Sequence, residues 1–154
     1  MSLFDRRTLI LALLALPACG FTPVYGPAAS LRGAVEIGTP DSGDAFTLVR
    51  ALELRLGTPE NVRYRLAVDV KLTEEGSVIT QTQEIDRFTL TGLASYTLTD
   101  LNGDVLTNGE ARAFTNYSAS DLPMATRAAR DDSLERLMVI LSDQIVARLA
   151  AIRS

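Results

Sequence analysis

The sequence predicts an α+β domain: a two-layer sandwich in which an antiparallel sheet of about four strands carries two helices packed on one face. Three observations lead there. Apolar residues recur at helical spacing over 45–56 and again over 134–152, residues 64–72 alternate with period two, and Asn102-Gly103 is a hairpin signal between two further strand-like runs. Each helix has one apolar stripe and the strands one apolar face, so each layer needs the other for cover.

The amino terminus precedes that domain. Arg6 and Arg7 stand ahead of the uncharged stretch 8–18 (TLILALLALPA), which reaches Cys19 and has the tripartite form of a secretory signal. At roughly eleven residues it is too short for the ~20 that cross a bilayer as a helix. Leu16-Pro17-Ala18-Cys19-Gly20 resembles a bacterial lipoprotein box. The resemblance implies that residues 1–18 are a cleaved signal peptide and that Cys19 becomes an acylated first residue. Gly20, where aspartate would favour inner-membrane retention, implies sorting to the outer membrane. Each buried methylene contributes ~0.8 kcal/mol, so one acyl chain holds marginally and several hold durably. Cleavage would remove Asp5, Arg6 and Arg7, leaving the mature chain one unit more negative than the −4 of the whole.

Residues 19–33 read as an acylated tether, rich in glycine and proline (Gly20, Pro23, Gly26, Pro27, Gly33), and residues 34–154 as the domain. Ala34-Val35-Glu36-Ile37 is a short first strand. Asp41, Ser42 and Asp44 offer N-caps to a helix over 45–56, where Ala45, Val49, Leu52 and Leu56 form the stripe and Gly57 with Pro59 stops it. From Tyr64 the period changes: Tyr64, Leu66, Val68, Val70 and Leu72 face one way, and Arg63, Arg65, Asp69, Lys71 and Thr73 the other. Glu74-Glu75-Gly76-Ser77 reads as a turn, followed by polar residues 78–86 and a strand over about 87–101.

Asn102-Gly103 fits the centre of a type I′ turn, where both residues need positive φ. That turn sets partners whose numbers sum to 205: Phe88 with Tyr117, Leu90 with Thr115, Gly92 with Ala113, Ala94 with Ala111, Tyr96 with Gly109 and Leu98 with Thr107. Large residues then meet small ones or stack at the far end, while Thr89 with Asn116, Ser95 with Glu110 and Thr97 with Asn108 share the polar face. A cap within 118–121 and Pro123 in the first turn open the last helix, whose stripe is Leu134, Leu137, Leu141, Ile145, Leu149 and Ile152.

Composition limits the chemistry. Of 154 residues 47 % are hydrophobic and 22 % charged, as in ordinary folded domains, and the acidic balance without long charge runs argues against nucleic acid. With no histidine and one cysteine, Ser-His-Asp and Cys-His sites and the common zinc sites are excluded, and no intrachain disulfide can form. Asp100, Asn102 and Asp104 imitate the start of a calcium loop, but the required glutamate at its twelfth position is missing. No metal, cofactor or catalytic residue is expected, and a hydrolase using a carboxylate pair has only generic acids behind it.

Two helices on one face leave the other face bare. It carries Arg63, Arg65, Lys71, Arg87 and Arg112 beside Leu93, Phe114 and many threonines. These cations are candidates for a solvated surface or for phosphate contact, to which arginine's fork and lysine's point charge are both suited. Phe21 and Tyr25 on the tether are candidates for docking against a partner.

The start Cys19-Gly-Phe-Thr-Pro-Val-Tyr-Gly26, the order of elements, the strand Ala94-Ser-Tyr-Thr-Leu98 and the C-terminal helix together resemble the LptE family of lipopolysaccharide-assembly lipoproteins of Gram-negative bacteria. The resemblance covers nearly the whole chain. It implies a lipid-anchored domain on the periplasmic side of the outer membrane that plugs the LptD β-barrel, assists its assembly and contacts lipopolysaccharide, with no enzymatic activity. The alternative is an auxiliary lipoprotein of another envelope lipid-transport system of the ABC type.

Overall fold

The computed structural model describes residues 31–40, 42–77 and 87–152. Strand β1 (Val35–Ile37), helix α1 (Gly43–Leu56), the long strands β2 (Tyr64–Ser77), β3 (Arg87–Asp100) and β4 (Val105–Ser118), and helix α2 (Pro123–Ala150) follow one another. The sheet order is β1-β2-β3-β4, and both helices lie on one face, as the two periodicities require.

One pairing departs from the antiparallel expectation. β1 runs parallel to β2, Val35 opposite Tyr64 and Ile37 opposite Leu66, because α1 returns the chain across the sheet before β2 begins.

Helix α1 starts where the caps were expected. The Ser42 hydroxyl accepts from the Ala45 N–H at 3.3 Å, and Gly57 closes the helix at φ +74° with its N–H on the Glu53 carbonyl. Asp41 lies outside the described residues. Ala45, Leu48, Val49, Leu52 and Leu56 are buried.

The residues 74–77 continue β2 and are not a turn: Glu74 pairs with Leu90 and Ser77 with Arg87. Glu74 keeps the inward parity of Leu72, and a glutamate is tolerated there because its carboxylate has partners. It accepts from the Tyr117 hydroxyl at 2.6 Å and from Arg130 Nε at 2.8 Å.

The β3–β4 register follows the predicted sum of 205 from Arg87 with Ser118 down to Leu98 with Thr107, and all six inward pairs and three polar pairs occur. Near the tip it changes. Thr99 pairs with Val105, Leu106 is left without a partner, and the Gly103 N–H bonds the Asp100 carbonyl at 3.3 Å. Leu101 and Asn102 are therefore the central residues of the turn and Gly103, at φ +94°, follows them, the arrangement of a three-residue loop with a bulge and not a type I′ turn.

The last helix lacks the expected side-chain cap. Its N-cap is Leu122, and Ser120 is held instead by Thr126, whose hydroxyl donates to the Ser120 carbonyl and accepts its N–H. Leu137, Leu141, Ile145 and Leu149 are buried with Met138 and Ser142, Leu134 is half-buried, and Ile152 lies past the helix end and is exposed. Gly92 lets this helix settle on β3: a Cβ there would stand 2.9 Å from Leu141 Cδ1 and 3.2 Å from Leu137 Cδ2.

Candidate functional site

The face of the sheet away from the helices is the candidate surface. Alternation places Ala67, Asp69, Lys71, Thr73 and Glu75 of β2 on it, and register carries the rows across β3 to β4. Lys71, Leu93 and Arg112 form one row. Thr73, Thr91 and Phe114 form the next, with Phe114 65 % exposed. On the other side of the Lys71 row lies Asp69, Ser95 and Glu110, so each cation has a carboxylate one row away.

The five predicted cations do not gather into one cluster. Arg65 stands six residues from Lys71 along β2, and Arg87 six residues from Leu93 along β3, each about 20 Å at ~3.3 Å per residue. Arg65 Nε donates to Glu36 Oε2 at 3.3 Å, spending its charge on the neighbouring strand. Arg63 precedes β2 and its guanidinium lies 5.5 Å from the centre of the Tyr64 ring. Lys71 and Arg112 alone share a row, separated by β3 and so roughly 10 Å apart, with Leu93 between them. That row with Phe114 beside it is an apolar strip bordered by two cations, a surface suited to an amphiphile or a mixed protein wall and not to bond-breaking. Cys19, Phe21 and Tyr25 lie outside the described residues.

A shallow groove of about 400 Å³ opens beside this strip at the β1 edge, lined by Glu36, Gly38, Thr39, Arg65, Ala67, Thr97 and Thr99. Among the described residues there is no cluster of metal-ligating side chains and no buried side-chain polar atom without a partner.

Apart from Asp100, whose carboxyl is lowered chiefly by the Asp104 N–H at the hairpin turn, the perturbed acid–base groups among the described residues sit on the opposite face, in one structural triad. Hydrogen bonding from Tyr117 is the largest influence on the Glu74 carboxyl; burial opposes it, and the Arg130 hydrogen bond and charge add to it, so the carboxyl is held below the usual carboxylate range. Burial, then the bond to Glu74, pushes the Tyr117 hydroxyl up to about 12. The triad ties β2, β4 and α2 together, and Phe88 stacks on Tyr117 with ring centres 5.1 Å apart. The signal for it was the parity of Glu74, which falls in step with Tyr64 through Leu72.

Sequence reasoning also missed how the open edge of β4 is closed. Arg136 donates to the Asn116 carbonyl, Gln144 to that of Arg112 and Arg148 to that of Glu110. Polar residues on a helix do not announce which carbonyls they will reach.

Together these features define an α+β domain with one sheet face covered by helices and one bare. The same fold occurs in three solved structures of bacterial proteins named as lipoproteins. A lipoprotein structure from Caulobacter crescentus superposes with TM-score 0.68 at 21 % identity over 82 % of this chain and 95 % of that one. Rare lipoprotein B from Shewanella oneidensis gives 0.58 at 9 % over 77 % and 94 %, and lipoprotein B from Nitrosomonas europaea 0.56 at 16 % over 77 % and 82 %. No curated protein sequence matches the chain. The LptE lipopolysaccharide-assembly family model matches residues 33–149, and the chain belongs to that family, whose members are non-enzymatic lipoproteins. Membership implies a role in lipopolysaccharide assembly.

Proposed function

We propose that this chain is an outer-membrane lipoprotein, acylated at Cys19 after loss of residues 1–18 and tethered by residues 19–33, whose domain plugs the LptD barrel from the periplasmic side. In that position it assists assembly of the barrel and takes part in carrying lipopolysaccharide to the cell surface. The family match over 33–149 carries this reading. The bare sheet face supports it, since Lys71 and Arg112 astride Leu93, with Phe114 beside them, offer apolar contact and phosphate pairing together. Arg63, Arg65 and Arg87 belong to the same proposed contact surface, and Phe21 and Tyr25 to the tether's docking on the barrel.

Co-expression with LptD and detergent extraction test the proposal. A stable one-to-one complex is expected, weakened by charge reversal of Lys71 and Arg112 without loss of the domain's thermal stability. Cys19→Ala should leave the chain uncleaved or shed from the membrane fraction. Co-purification with an inner-membrane ATPase in place of a barrel would overturn the proposal in favour of an ABC-type transport system.

A further inference from the structure

The tether enters at the same end of the sheet as the β3–β4 hairpin tip. Residues 31–34 bond to the strand start there, Gly33 N–H to the Leu56 carbonyl and Arg63 N–H to the Ala34 carbonyl, and Val35 lies opposite Tyr64, which lies opposite Asp100 at the base of the turn. Two strand spacings, about 10 Å, separate the incoming chain from the turn. Around that turn three large apolar side chains face outward: Leu101 is 52 % exposed, Val105 57 % and Leu106 44 %. Alternation from inward Thr107 already puts Leu106 on the bare face, and the bulge leaves it unpaired.

We propose that, in the anchored chain before it meets a barrel, this hairpin tip rests in the lipid surface that holds the acyl chains, with Leu101, Val105 and Leu106 inserted at the headgroup boundary. The inference rests on the reading of Cys19 as the anchor. From Cys19 to Leu31 is twelve residues, a relaxed span of about 20 Å and at most ~40 Å extended, so the chain outside the described structure holds this end within reach of its own membrane. The turn's polar groups largely satisfy one another: Asp100 Oδ1 accepts the N–H groups of Asn102 and Asp104 at 2.9 Å, and Oδ2 accepts from the Asn102 amide at 3.1 Å. A self-satisfied turn loses little on approaching a membrane. The carboxylates of Asp100 and Asp104 disfavour an anionic surface, so the lipid that fits is zwitterionic.

The test uses the acylated full-length chain in phosphatidylcholine vesicles made with and without brominated acyl chains. A polarity-sensitive fluorophore is placed on Leu106→Cys or, as the control, on Met124→Cys at the far end, where the side chain is 76 % exposed. Acylation occupies the Cys19 sulfur, so the new thiol is the single labelling site. Brominated lipid should quench the label at 106 several-fold more than at 124, and Leu101→Ser should reduce that difference. Equal quenching at both ends, or quenching at 106 that requires an added barrel, overturns the inference. The mass of the N-terminal peptide reports the anchor separately. If it carries no acyl chain, the same measurement on Cys19→Ser chains held by an N-terminal polyhistidine tag on nickel-chelating lipid still decides the fate of the tip.

Discussion

Individual residues hold the two layers together by contacts that differ in kind. Gly92 acts by absence: an added methyl meets Leu141 and Leu137 at 2.9 and 3.2 Å, and both leucines are fully buried. Gly92→Ala should therefore cost about 1–3 kcal/mol by overpacking, read as a lowered midpoint in urea with an unchanged slope. Glu74 and Tyr117 act by hydrogen bonding, and their titrations give opposite signs. The Glu74 carboxyl is depressed in the fold, so its contribution is present above its unfolded value near 4.5 and is lost as pH falls through the lower folded value. The Tyr117 hydroxyl is raised, so its contribution is complete below pH 10 and is lost as pH climbs toward about 12. Tyr117→Phe should lower stability by about 1 kcal/mol at neutral pH and flatten the alkaline limb of a melting-temperature profile; an unaltered limb would assign that limb to other groups. Of these residues, Glu74 was within reach of sequence reasoning. Its parity was visible, and the run Glu-Glu-Gly-Ser disguised it as a turn.

At the scale of elements, the hairpin shows how far alternation can be read. Register over β3 and β4 followed from matching the two faces across twelve rungs, since a slip of one would turn every side chain to the wrong face. The last rungs escaped because Leu101, Val105 and Leu106 are outside the core and impose no such penalty. Turn chemistry alone then chose between two loops that both want glycine at 103. Gly103→Val places a β-branched side chain at φ +94° and should cost about 1–2 kcal/mol, measured by thermal melting, with near-native stability contradicting the assigned turn. Helix α2 has a second task besides covering the core. Arg136, Gln144 and Arg148 reach three outward carbonyls of β4, which would otherwise be an open template for pairing. Replacing all three with alanine should promote concentration-dependent association seen by light scattering; a variant that stays monomeric would show that α2's bulk alone guards the edge. No sequence period encodes this, because the partners are backbone atoms.

The whole molecule is built unevenly along its length, and that asymmetry has a measurable consequence. The long strands have fourteen residues each, about 46 Å, and α2 with twenty-eight spans about 42 Å, so both run the length of the domain. Helix α1, at fourteen residues and about 21 Å, cannot. It ends beside Gly33, near the hairpin, so the hairpin half of the sheet has two helices over it and the opposite end has only α2. There the outer turns of α2, residues 122–128, are mostly exposed, and cohesion comes from the Phe88–Tyr117 stack and the Glu74–Tyr117–Arg130 triad in place of aliphatic packing. The two-layer plan was legible because it depends on summed apolar faces; the unequal cover was not, because it depends on where a short helix happens to start along strands twice its length. Cooperative opening should accordingly begin at the thinly covered end. In native-state hydrogen exchange, amides of residues 74–76 and 88–90 should exchange at a lower opening free energy than those of Leu66 and Leu98 beneath α1. Glu74→Ala should widen that gap without moving the protected end, and protection that falls uniformly along both halves would show the sheet opening as one unit.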